Sequence, residues 1–172
     1  MKKTSVSQLV LMAFYVAMFM VLDVVCNAIP FLQMPNGGSL GVSAIPLLMA
    51  SYQLGWKKGV LVCVVAVFCM FVTGPMYTPD LAGFLLDYLI AFAVYGLACL
   101  FPNFGYFYSG VLITNFLRFL SSTISGVYVW GVDWIGSIVY QAWYMVPTTI
   151  LTLIVVPLLY KALEPRMKSM VK

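Results

Sequence analysis

The stretch Gly83-Phe-Leu-Leu-Asp-Tyr-Leu-Ile-Ala-Phe-Ala-Val-Tyr-Gly-Leu-Ala-Cys-Leu100 carries a single charge, Asp87. A run this long and this apolar reads as a membrane-crossing helix. A carboxylate inside such a helix costs about 2.5–3.5 kcal/mol on insertion scales, so the default reading of Asp87 and its neighbour Tyr88 is a functional site. An anion in an apolar, aromatic-lined pocket most simply serves a cation.

The rest of the chain agrees with a membrane setting. Its 172 residues are 63% hydrophobic and only 8% charged, whereas soluble chains carry about 25% charged residues. Mean hydropathy is +1.03. The apolar stretches are long and continuous rather than short and alternating, which favours helices over a barrel. The expected fold is an all-α integral membrane protein of six transmembrane helices, forming one domain over residues 1–172. That leaves no room for a soluble nucleotide-binding domain. Lys2-Lys3 followed by an apolar run resembles a signal peptide. The run Leu9–Ile29 is long enough to span, and it is read as a retained first helix.

Histidine is absent, which removes His-based triads, haem ligation and the usual zinc hydrolase sites. Cys26, Cys63, Cys69 and Cys99 lack C-x-x-C spacing and read as small apolar packing residues. No metal or cofactor is expected. The net charge of +4 comes mostly from the termini and Lys57-Lys58, a pattern of membrane topology and not of nucleic-acid binding.

The predicted spans are 7–29, 41–55, 59–73, 82–101, 106–130 and 135–161, the last with Pro147 and Pro157 inside it. Lys2-Lys3, Lys57-Lys58 and the tail with Lys161, Arg166, Lys168 and Lys172 fall on one side of six spans. The opposite loops contain only Asp80 and Asp133. The positive-inside rule therefore places both termini in the cytoplasm and the loops 30–40, 74–81 and 131–134 outside. Asp87 then lies about five residues into its helix from the outer end, roughly 8 Å deep at 1.5 Å per residue. Tyr77 and Trp130 lie at the same level, and Tyr140 and Gln141 lie near it. One external pocket is expected. The loop Pro35-Asn-Gly-Gly-Ser39 lacks the spacing of a phosphate-binding loop and would serve as a lid.

Each candidate has a plainer reading beside it. Asp87 is either the counter-ion of a cationic or amino-bearing ligand or the partner of Arg118, and Asp23 is an equally good partner for that arginine. The aromatics Tyr77, Tyr88, Trp130, Trp134, Trp143 and Tyr144 line a pocket or form an interfacial belt. Trp130 lies one turn beyond Gly126, and the small residue leaves a slot where a flat charged ring would stack. Ala13 and Ala17 form a small-residue stripe that packs within the chain or docks a separate subunit.

Four stretches, in order, carry a resemblance: Met34-Pro-Asn-Gly-Gly-Ser-Leu40 with Ile45-Pro46; Phe84-Leu-Leu-Asp-Tyr-Leu-Ile-Ala-Phe92 with Gly96-Leu-Ala98; Arg118-Phe-Leu-Ser-Ser-Thr-Ile-Ser-Gly126 ending at Trp130; and Tyr140-Gln-Ala-Trp-Tyr-Met-Val-Pro147. Over nearly its whole length the chain resembles the substrate-binding S components of energy-coupling factor (ECF) vitamin transporters, and within them the thiamine-specific branch. The resemblance implies a vitamin pocket near the outer face and no ATPase of its own. It also implies association with a shared transmembrane coupling subunit and two cytoplasmic ATPases, and toppling of the S component in the bilayer during transport. Ala13 and Ala17 resemble the docking motif. Tyr77, Asp87, Tyr88, Gly126 and Trp130 match ligand-contact positions, with Asp87 where Glu is frequent. Ser122 stands where the branch commonly has His, and Gln141 where Asn is usual. Gly136 and Gly37 fall where some members have Tyr and Trp. The implied ligand is thiamine, or a related small cationic heteroaromatic such as its pyrimidine or thiazole precursor.

Two other classes compete. A membrane-embedded enzyme would need a nucleophile–base pair or metal ligands, and without His the candidates shrink to Asp23, Asp87 and stray Ser or Cys. A passive channel or structural subunit would show a polar path end to end, but the cytoplasmic half is almost uniformly apolar. Ligand binding without turnover separates these from an uptake subunit.

Overall fold

The computed structural model describes residues 5–29, 34, 38–73, 76 and 78–170, the side chains of Thr73 and 165–170 excepted. The chain is helical almost throughout. Helix α1 is Val6–Ala28, α2 is Ala44–Leu54 and α3 is Trp56–Thr73. A helical run over Leu81–Leu100 is α4. Helix α5 is Ser109–Tyr128 and α6 is Trp134–Met170. Between α4 and α5 lies a minimal antiparallel hairpin, β1 (Asn103–Phe104) with β2 (Phe107–Tyr108). It turns at Gly105, whose φ of +64° suits a residue without Cβ.

Val6–Ala28, Leu81–Leu100, Ser109–Tyr128 and Trp134–Glu164 are long and apolar enough to cross a membrane. Their outward faces confirm the solvent they expect. Leu9, Val10, Phe14 and Val21 of α1 and Val139, Trp143, Ile150 and Ile154 of α6 are all more than half exposed. A water-soluble protein rarely leaves such a continuous apolar surface open. Helix α5 is inverted relative to a soluble amphipathic helix. Phe116, Leu117, Leu120 and Ile124 point outward, and Thr114, Asn115, Ser121, Ser122 and Ser125 are buried.

Several boundaries differ from those read in the sequence. Helix α2 has 11 residues, about 16 Å at the helical rise, so its regular helix covers roughly half of the hydrocarbon thickness. It is buried from Ala44 to Ser51 and forms the centre of the bundle. Helix α5 starts at Ser109 instead of 106, because the hairpin takes the preceding residues. Helix α6 continues to Met170, since its turn-to-turn bonding does not end where the apolar sequence ends.

Helix α4 is not uniform. Its bonding is π-type over Phe84–Ile90 and 3-10 type over Val94–Leu100. Side chains from neighbouring helices bond the backbone at both places. Ser121 Oγ donates to the Leu86 carbonyl at 2.6 Å. Ser51 Oγ donates to the Gly96 carbonyl at 2.7 Å and accepts from the Cys99 amide at 3.1 Å. Gly96 permits the second arrangement, because a Cβ there would lie 2.3 Å from the Val60 nitrogen. Wide turns of the π kind recur at functional sites, and this one carries Asp87.

Candidate functional site

Phe19 of α1 meets Phe92 of α4 edge-on, ring centroids 5.6 Å apart. One turn beyond that contact in each helix stand Asp23 and Tyr88, with Asp87 beside Tyr88. There the helices part and enclose a cavity of about 660 Å³. That volume lies within the range of small-molecule sites, roughly 300–1,000 Å³. Phe92 and Arg118 form its floor, α5 and α6 one wall, and α1 with Gly38–Ser43 the other.

Asp87 is held in place by two donors. Ser125 Oγ donates to its Oδ2 at 2.6 Å, and Trp130 Nε1 donates to the same oxygen at 3.2 Å. The indole is therefore a positioned wall of the cavity mouth, 43% exposed and not fully packed. Tyr88 also lines the cavity, its ring stacked on Phe84 at 6.4 Å. Ser122 is buried beside Asp87.

Gln141 lines the cavity, but its amide is already engaged. Nε2 donates to the Ser122 carbonyl at 3.3 Å, and Oε1 accepts from the Tyr144 hydroxyl. It therefore ties α5 to α6 as well as facing the cavity. Gly126 lines the cavity too, yet the space beside it is not an empty slot. A Cβ there would fall 2.2 Å from Ser137 Oγ, so the glycine admits α6 against α5. Ser137 Oγ in turn donates to the Thr123 carbonyl at 3.0 Å.

The structure thus brings Asp87, Tyr88, Ser122, Gly126, Trp130 and Gln141 to one cavity, with Gly136 at its edge. Tyr77 and Gly37 lie outside the described residues. Arg118 pairs with neither aspartate. Its guanidinium lies over the Phe92 ring at 4.3 Å and donates from Nη1 to the Tyr95 hydroxyl at 3.2 Å. It nonetheless attracts both carboxylates across the cavity floor. Tyr95 passes the link on to Asn115 Oδ1 at 2.9 Å, and Asn115 Nδ2 reaches Thr152 Oγ1 at 3.2 Å. Sequence reasoning offers Asp23 as a partner for Arg118 or as a catalytic carboxylate, not as a ligand contact, and it overlooks Asn27 and Ser125. The Asp23/Asn27 spacing of four residues, one face of one helix, was the available signal.

Ala13 and Ala17 lie elsewhere. Both are exposed on α1 and line a separate apolar groove of about 410 Å³ with Leu61, Val62 and Val65 of α3.

The sequence profile of the family described as Thiamine transporter protein (Thia_YuaJ) matches residues 9–168. The chain belongs to that family. It is also 30% identical to "Thiamine transporter ThiT" of Bacillus subtilis (strain 168), with 94% of each chain covered. As a member of the thiamine transporter family with several membrane-crossing helices, the chain is a multi-pass plasma membrane protein of thiamine uptake. Its role is transport and not catalysis.

Proposed function

We propose that the chain is the thiamine-binding S component of an ECF-type uptake transporter, with the ligand in the cavity between α1, α4, α5 and α6. The observation that carries this reading is the charge of the lining: two carboxylates, Asp23 and Asp87, face one guanidinium, Arg118. A monocation restores neutrality there, and low polarity strengthens the attraction. The thiazolium ring stacks on Trp130 and lies against Asp87, with Tyr88 alongside; Tyr77 is carried as a contact by the family resemblance alone. Ser122, Gly126 and Gln141 shape the far side.

In this reading the chain crosses the membrane six times with both termini in the cytoplasm. Support comes from the basic groups at the end remote from the cavity. Lys58 Nζ donates to Gln8 Oε1, and Lys161 lies over the Tyr106 ring at 3.2 Å. The cavity mouth at Asp87 and Trp130 then faces outside. The groove at Ala13 and Ala17 docks the transmembrane coupling subunit, which is linked to two ATPase subunits. The bilayer and these subunits are the partners, and nucleic acid is not.

The test is a tryptophan-fluorescence titration of the detergent-purified protein with thiamine, its pyrimidine and thiazole fragments, and riboflavin as control. Saturable quenching by thiamine is expected, sharply reduced by Trp130→Phe. A response to one fragment but not to thiamine would reassign the cargo to a precursor. Silence towards all of them would overturn the thiamine reading.

A further inference from the structure

The ligand contacts inferred from sequence sit on α4, α5, α6 and the adjoining loops. The wall supplied by α1 is polar as well, and beyond the charge of Asp23 it has no assigned contact with the ligand. Asp23 lines the cavity and is only 7% exposed. Asn27, one turn further along, donates Nδ2 to Asp23 Oδ2 at 3.2 Å. A carboxylate accepts only, so this bond fixes the amide's orientation and leaves Asn27 Oδ1 as an acceptor. The Ser43 hydroxyl faces the same carboxylate. Helix α1 therefore offers the cavity oxygen acceptors, while the donors nearby are already turned toward Asp23.

Among the described residues, Asp23 has no contact ion pair. Arg118 lies over the Phe92 ring and bonds Tyr95 instead. A buried carboxylate without a counter-ion is costly unless a donor or cation arrives to satisfy it. The opposite wall differs in kind. Asp87 already takes two donors on one oxygen and stands beside an indole face, an arrangement suited to a cationic ring.

We infer that Asp23, together with Asn27, is a second recognition group in the cavity, one that accepts hydrogen bonds from an amino group of the ligand. On the thiamine reading, on which this rests, the aminopyrimidine end faces α1 and the thiazolium end faces Asp87 and Trp130. The two acidic groups then divide the ligand between them, each reading a different end.

Calorimetric titration of the full-length protein in detergent tests this with two probes: thiamine, and oxythiamine, in which a carbonyl replaces the exocyclic amine and the cation is kept. The wild type is expected to prefer thiamine. Asp23→Asn removes one of the two carboxylates and should weaken both probes, but thiamine at least tenfold more than oxythiamine, erasing most of the preference. Asp87→Asn should weaken both to the same extent. Asn27→Ala changes an exposed side chain and folds independently of the fate of Asp23→Asn; it should weaken thiamine at least threefold and spare oxythiamine. Retention of thiamine affinity within twofold in a folded Asp23→Asn protein and in Asn27→Ala would overturn the inference, and so would equal losses for both probes. Absence of wild-type binding to either probe is a separate outcome, which removes the thiamine reading and this assignment with it.

Discussion

Asp87 and Asp80 lie seven residues apart and do different work. Asp80 Oδ1 accepts from the Gly83 amide at 2.7 Å and caps the start of α4. Asp80→Ala should therefore lower stability by about 1 kcal/mol and leave ligand affinity nearly unchanged. Asp87→Asn keeps the shape and one acceptor for Ser125 and Trp130 but removes the charge. Charged hydrogen bonds are worth roughly 1.5–3 kcal/mol, so this variant should bind thiamine at least tenfold more weakly with little change in melting temperature. Parallel binding and thermal-shift measurements on the two variants check both halves. Equal losses of affinity would make Asp87 structural. The charge of Asp87 stands out in the sequence because its surroundings are apolar. Its donors were less visible: Ser125 is one of several serines in α5, and only folding selects it.

At the scale of elements, the glycines set how closely helices approach. Gly126 faces a side chain, Ser137 Oγ, whereas Gly96 faces the backbone of Val60. Gly126→Ala should wedge α5 from α6 and cost about 1–3 kcal/mol, the usual range for overpacking. Adding Ser137→Ala removes the nearest atom and leaves only a tight Cβ contact at 3.1 Å, so it should recover part of the melting temperature. No side-chain truncation can relieve Gly96→Ala, so that variant should show the larger loss in yield and thermal stability, without rescue. The helices themselves were legible from runs of apolar residues. Their internal departures were not, because the π and 3-10 segments of α4 depend on Ser121 and Ser51 reaching across from other helices. The short α2 was legible as apolar, but its central burial depended on the elements around it.

For the whole molecule, the cavity and the Ala13/Ala17 groove are separate surfaces joined by one helix, α1. Leucine at both Ala13 and Ala17 fills the groove without touching the cavity. Thiamine affinity of the purified double variant should stay within about twofold of the wild type, while uptake by cells carrying the complete transporter should fall at least tenfold. Unimpaired uptake would remove the docking proposal, and lost binding would show that the groove supports the cavity.

The sequence by itself determined the solvent, the helical class and the lone charge in α4. These follow from the transfer cost of each residue along the chain, which needs no knowledge of neighbours. It also carried the family, through four ordered stretches. Only the tertiary structure decided that Arg118 rests on Phe92 instead of pairing with an aspartate. It alone showed that Gly126 makes room for Ser137 and that Asp23 faces the cavity from α1. The physical reason is that a hydrogen bond or a close approach depends on distances between residues far apart in the chain, and those distances exist only once the helices have packed.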